Sequence, residues 1–208
     1  MKKTNGTKLG TTFKRFIART LVIATASLFA FPGEVKAGDT VQNITVQNIP
    51  NKTYGDAGFQ VIASSDSTNA LNYAVQGPAR IDSTGNIVIT GAGDVKVFVY
   101  QLGDTKYKFA SVSKTFTIAK AAVTVTAVDK TVVYDGNVQK IEGTAVDTGG
   151  NALSTPTSTY VDAGNNAVLN PTNAGTYTAT VSYSDDNQSG SKEVILTINK
   201  AELTATLG

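Results

Sequence analysis

Asp185, Asn187 and Ser189 stand at positions one, three and five of a short loop, with Gly190 at position six. This spacing gathers oxygen donors on one side of a tight bend, the chemistry of a calcium loop, but position twelve is Leu196 where a bidentate glutamate is required. No helical pattern flanks it. A hairpin between "TATVSY" and "EVILTI" explains the same residues without an ion. Hydrolysis of a glycosidic bond needs only two carboxylates, and from Gly38 onward the chain has Glu142, Glu193 and Glu202 beside twelve aspartates. Most of those aspartates sit in Gly/Asn turns, where bonding the local backbone accounts for them. The complete absence of histidine and cysteine removes Ser-His-Asp and Cys-His catalysis and ordinary zinc ligation. "TGAGD" (90–94) lies between strand patterns and precedes no helix, so it lacks the geometry of a phosphate cradle. Tyr100, Tyr107 and Phe109 in "QLGDTKYKF" offer a sugar-stacking platform, although a small sandwich core uses such rings too and tryptophan is absent. The expectation is therefore a non-catalytic chain with no catalytic residue, no cofactor-binding residue, no metal ligand and no cofactor.

The elements that would position these residues are strands. "VQNITVQ", "FQVIA", "LNYAV", "NIVITG", "DVKVFVY" and "KTFTIA" alternate or run in β-branched and aromatic residues, as do "AVTVTAV", "TYTATVSY" and "EVILTI" further on. Between them lie turn segments such as "DSTGN" (82–86), "DTGGN" (147–151) and "SDDNQSGS" (184–191). No stretch of ten or more residues after position 31 has helical spacing. Strands of this length with such turns predict an all-β fold of antiparallel sandwiches.

The chain also repeats itself. "TFTIAKAAVTVTA" (115–127) returns eighty positions later as "ILTINKAELTATL" (195–207), with Thr117, Ile118, Lys120 and Ala121 matched by Thr197, Ile198, Lys200 and Ala201. Tyr54 and Tyr134 keep the same period, and "TGAGDVKVFVY" corresponds to "TNAGTYTATVSY" with a two-residue slip that is later cancelled. Two tandem units, 38–119 and 120–200, follow from this period, with 201–208 as the start of a third. "IAKAAV" and "INKAEL" join units with no Gly, no Pro and almost no spacer, which restricts the angle between neighbours. Lys120 and Lys200 in these joints are read as solvated edge charges that block wrong strand pairing. In "NAGTYTATV", Tyr177 has the setting of a tyrosine corner, with Ala179 where an antibody domain places its second cysteine; a half-buried strand tyrosine is the alternative. The first unit has Val95 there, so packing alone must close that corner.

Residues 1–37 differ from the rest. Seven of the 18 Lys and Arg lie there against one acidic residue, Glu34, and "LVIATASLFAF" (21–31) is followed by Pro32, Gly33 and the small residues before Ala37. These are the marks of a secretory signal cut after Ala37, and the apolar run falls short of the roughly 20 residues of a membrane-spanning helix. The remainder has 11 basic and 15 acidic residues, scattered singly, which disfavours nucleic acid as a partner and leaves no membrane segment in the mature chain.

"NITVQNIPNKTYGDAGFQVIASS" (43–65), "GPARIDSTGNIVITGAGDVKVFVYQLGDTKYKFA" (77–110) and "KTFTIAKA" (114–121) resemble the YGX type of the MBG domains, repeats of large and mostly bacterial surface proteins. "AVTVTAVDKTVVYDG" (122–136), "NPTNAGTYTATVSY" (170–183) and "VILTINKAELT" (194–204) are similar to the companion MBG/YDG type. The resemblance spans nearly all of 41–208 and implies tandem immunoglobulin-like sandwiches in a bacterial adhesin-like protein, secreted and displayed at the cell surface. It transfers no catalytic or binding residue. "STYVDAGNNAVL" (158–169) departs from the family pattern, so strand register there is open. The expected task is that of a stalk or spacer whose partners are neighbouring repeats of the same chain. Direct binding of a host or matrix glycan or protein, and service as an accessory module of a secreted enzyme, are the alternatives.

Overall fold

A computed structural model describes residues 38–82 and 86–203. The signal segment at 1–37 and the tail of the third-unit match at 204–208 lie outside the described residues. Every regular element among the described residues is a strand, and there is no helix.

The first nine strands are β1 (Ile44–Val46), β2 (Lys52–Thr53), β3 (Phe59–Gln60), β4 (Ala63–Ser65), β5 (Asn72–Gln76), β6 (Ala79–Ile81), β7 (Asn86–Ile89), β8 (Gly93–Gln101) and β9 (Ala110–Ala119). One layer runs β2–β9–β8–β5, with β2 parallel to β9 and the other pairs antiparallel. In the other layer β1 pairs with β4, and β3, just before β4 in the chain, continues the pairing through β7 to β6. In immunoglobulin lettering this is an A-B-E-D layer facing a G-F-C layer, with β2 as an extra first strand along G. The alternation in "DVKVFVY" explains the burial: Val95, Val97 and Val99 point inward while Asp94 and Lys96 are exposed. With Phe116, Ile118 and Ile87 they form the centre of a core that draws its buried residues only from positions 46–118.

The second set is β10 (Ala121–Ala122), β11 (Thr124–Thr126), β12 (Lys130–Val133), β13 (Thr144–Val146), β14 (Thr157–Asp162), β15 (Ala167–Val168), β16 (Gly175–Ser184) and β17 (Gln188–Asn199). Here β12 lies parallel to β17, β17 pairs with β16, β16 with β14 and β14 with β15, while β11 and β13 form the facing layer. The core takes its buried residues from 123–198, centred on Ala179, Val181, Leu196 and Ile198, and shares none with the first. Both sets are immunoglobulin-like sandwiches, and the all-β tandem architecture read from the strand patterns is present.

The two differ where the sequence left register open. "STYVDAGNNAVL" is a hairpin, β14–β15, laid against β16, and no strand pair stands where β6 and β7 stand in the first sandwich. The segment before β13 therefore lacks a ladder partner, yet Ile141 is buried. Side chains replace the ladder: Ile141 N–H donates to the Tyr160 hydroxyl at 2.8 Å, and Ser158 Oγ donates to the Ile141 carbonyl at 2.7 Å. Nearby, Gln139 N–H donates to the carbonyl of Pro171 at 2.8 Å. Buried backbone groups without partners are costly, so these bonds allow the facing layer to shrink to two strands.

Tyr160→Phe should leave the buried Ile141 N–H unpaired and destabilise the second sandwich by about 1–3 kcal/mol. Urea unfolding checks this: the midpoint should fall with an unchanged slope. An unaltered midpoint would contradict the role given to that hydroxyl.

Candidate functional site

Each candidate from the sequence has a definite place. The loop at Asp185 is a hairpin turn between β16 and β17: Asp185 N–H donates to the Gln188 carbonyl at 3.0 Å. The Asp185 carboxylate accepts from the N–H groups of Asn187 and Gln188 at 2.8 and 2.7 Å and from the Tyr183 hydroxyl at 2.8 Å. Its oxygens already serve the turn.

Three other turn aspartates behave alike. Asp104 accepts from Lys106 and Tyr107 N–H, Asp147 from Gly149 and Asn151 N–H, and Asp162 from Gly164 and Asn166 N–H. These bonds favour the ionised form. The Asn166 N–H leads in holding Asp162 below the ordinary aspartate range, the Asn151 side-chain amide in holding Asp147, the Tyr107 N–H for Asp104 and the Tyr183 hydroxyl for Asp185. Glu142, Glu193 and Glu202 are exposed, and Glu142 borders a shallow depression with Lys130, Val138 and Lys140. Among the described residues no three acidic side chains gather as a metal site would require.

The aromatic candidates are brought together only in part. The rings of Tyr100 and Phe109 lie 6.3 Å apart at 34°, and Phe109 is 60% exposed. Tyr107 is turned to a different partner, the Lys106 ammonium 4.8 Å from its ring centre. Beneath this end of the sandwich lie two buried glutamines that sequence reasoning passed over. Gln42 Nε2 donates to the Leu102 carbonyl at 3.2 Å and to that of Lys108, while its Oε1 accepts from Ser67 Oγ at 2.7 Å. Gln101 accepts from Ser65 Oγ at 2.6 Å and donates to the Asn69 carbonyl. Together they tie the segment before β1 and two loops into one satisfied polar network.

The tyrosine corner is present. Tyr177 is buried, and its hydroxyl donates to the Asn173 carbonyl at 2.8 Å, four residues upstream, with buried Ala179 two residues on. In the first sandwich Val95 is buried at the matching place.

The two sandwiches also make contact with each other. Asn187, in the β16–β17 turn, reaches back ninety-five residues: its Oδ1 accepts from Ala92 N–H at 2.9 Å, just before β8. Lys120, in the linker, is exposed as an edge charge would be, and it also donates to Ser184 Oγ at 3.2 Å and to the Asp185 carbonyl. Ala121 and Val123 N–H groups then donate to the carbonyls of Asn187 and Ser189 at 2.9 and 3.0 Å. Gly190 permits this closeness, since a Cβ there would meet the Val123 carbonyl at 2.1 Å. One turn is thus bonded to the first sandwich, the linker and the strand that follows it. The joint supplies position and no reactive group.

Tyr177→Phe should lower stability by about 1 kcal/mol through loss of the corner bond, read as a shift in melting midpoint. Acid should weaken the fold. The turn aspartates have lowered folded-state values relative to an ordinary 3.8, so their contribution is complete above that value and is lost as pH falls below it. A melting midpoint flat from neutral pH down to about 2 would contradict this.

No family model matches the chain, and no curated protein matches it. Among solved structures it is similar to the fibronectin(III)-like modules of Clostridium thermocellum CbhA, at 11% identity and a TM-score of 0.30, covering 80% of this chain and 99% of that one. It is also similar to immunoglobulin domains 1–4 of Sidekick-1, at 12% identity and a TM-score of 0.34, covering 75% of this chain and 48% of that one. A third likeness is to Drosophila N-cadherin EC1-3, at 12% identity and a TM-score of 0.30, covering 76% of this chain and 68% of that one. The fold assignment rests on the strand order described above.

Proposed function

We propose that the chain is a non-catalytic spacer: two modules, 38–119 and 120–200, held end to end as part of a bacterial adhesin-like surface protein of the MBG kind, exported by the segment 1–37. The observation that carries this reading is the joint. Separate cores make each sandwich a unit of its own, while Asn187 on Ala92 and Lys120 on the Asp185 turn hold the two at a set angle. A spacer needs stiffness at the links between folded units, because a flexible link loses reach. The commitment of turn aspartates to backbone N–H groups supports a structural task, as does the position of the glutamates on open surface.

One observation favours direct binding as a second reading: exposed Phe109 beside half-buried Tyr100 on the first sandwich is a stacking surface of the kind sugars use. The readings separate by experiment. The spacer predicts no saturable binding to glycan arrays or host matrix proteins, and saturable binding abolished by Tyr100→Ala and Phe109→Ala would replace it. It also predicts that Asn187→Ala with Lys120→Ala broadens the end-to-end distance distribution measured by single-molecule fluorescence transfer, with each module still folded. An unchanged distribution would count against the joint as the source of stiffness.

A further inference from the structure

Strand register identifies the counterparts of the joint residues elsewhere in the chain. Gly93 faces Ile118 and Gly175 faces Ile198, so Ala174 matches Ala92 and Asn173 matches Gly91. Tyr54 N–H bonds the Ala119 carbonyl as Tyr134 N–H bonds that of Asn199, so Lys200 leaves its strand as Lys120 does. Three residues beyond each lysine stand Val123 and Leu203. Val123 is 8% exposed, within the second core, whereas Leu203 is 96% exposed. Gly91 is buried and Ala92 half-buried beneath the Asn187 turn, whereas Asn173, Ala174 and Lys200 are all exposed. The far end of the second sandwich therefore repeats the receiving half of the joint, and none of the described residues covers it.

The free end of the first sandwich does not repeat the donating half. Its turn Asp104–Tyr107 is built as Asp185–Gln188 is, with Asp104 N–H on the Tyr107 carbonyl at 2.9 Å and the carboxylate on Lys106 and Tyr107 N–H at 2.7 Å. Lys106 thus occupies the place of Asn187. Thr40 pairs with Tyr107 as Ala121 pairs with Gln188, which puts Asp39 at the place of Lys120. A cation replaces the acceptor amide and a carboxylate replaces the clasping cation.

We propose that the end bearing Asn173, Ala174, Lys200 and Leu203 is a docking surface for a further module of the second type, which presents its Asp-x-Asn turn to Ala174 N–H and Lys200. The first sandwich caps the array at its other end. Such a contact is heterologous and does not close, so it extends an array in one direction. Leu203 completes the incoming core as Val123 completes the second. Asn173 adds a Cβ where Gly91 has none; at Gly91 that atom would come within 2.9 Å of Asn187 Oδ1, the flexible end of a side chain, so the incoming amide shifts slightly while its oxygen stays on Ala174 N–H. The proposal rests on the spacer reading and adds the partner and the polarity.

The test is the full chain with a copy of residues 124–200 joined after Leu203, followed by amide hydrogen exchange at Ala92 and Ala174. Ala174 N–H should slow by at least about fivefold relative to the unextended chain, the worth of one added hydrogen bond. N187A in the appended copy should abolish that slowing, and Asn173→Gly should deepen it. Unchanged exchange at Ala174 with Ala92 still protected would overturn the docking surface and leave the spacer reading standing. Loss of protection at both would overturn the two together. A copy of residues 120–199 inserted between Ala37 and Gly38 should leave its own Ala174 unprotected, and protection there would overturn the capping role of the first sandwich.

Discussion

The β16–β17 ladder is the interaction on which the second half of the chain and the joint both depend. Its ten antiparallel pairs run from Gly175–Ile198 to Ser184–Ser189. The inward residues of this one hairpin, Tyr177, Ala179, Val181, Leu196 and Ile198, supply much of the core, and its turn supplies Asn187. A long two-stranded ribbon is stiff only when one face is buried, and here burial along the ribbon fixes where its tip lies. Core packing and joint geometry are thereby the same problem. The first sandwich has the equivalent nine-pair ladder, but its connecting segment, 102–109, is five residues longer than 185–187 and is held by Gln42, so the same spine ends in a different kind of tip.

Much of this was legible in the residues. Alternation marked β8, β9, β16 and β17 because each buries one face and exposes the other, and the eighty-residue period located matching strands because Ile118 and Ile198 do the same work. Gly-x-Tyr before Ala179 marked the corner, since local chemistry decides it. What was not legible depends on partners distant in the chain. Asn187 read as a turn or cation-loop residue because its acceptor role is defined by Ala92, which no local pattern ties to it. Lys120 looked like an edge charge because its exposure is genuine and its acceptors lie sixty-four and sixty-five residues on. The missing strand pair of the second sandwich was hidden because "TSTYVD" suits a strand in any position of the sheet, and only pairing with β16 decides which.

The turns of the described residues share one construction. In a chain without cysteine or histidine, tight turns must be held by short-range hydrogen bonds, and aspartate is the residue that does this most economically, accepting two backbone N–H groups at once. Five aspartates, Asp104, Asp135, Asp147, Asp162 and Asp185, have their charged forms favoured by such bonds. Acidic side chains that might have served chemistry are spent on loop geometry instead, and the same geometry places Asn187 at the joint.

The central claim is that two separately cored sandwiches are held at one angle by hydrogen bonds at their junction. Residual dipolar couplings measured on backbone amides of both sandwiches in a single weakly aligned sample test it most directly. A shared alignment tensor, equal in magnitude and orientation for residues 44–118 and 123–198, is the result this account predicts. Two tensors of clearly different magnitude, the mark of modules reorienting independently, would contradict it.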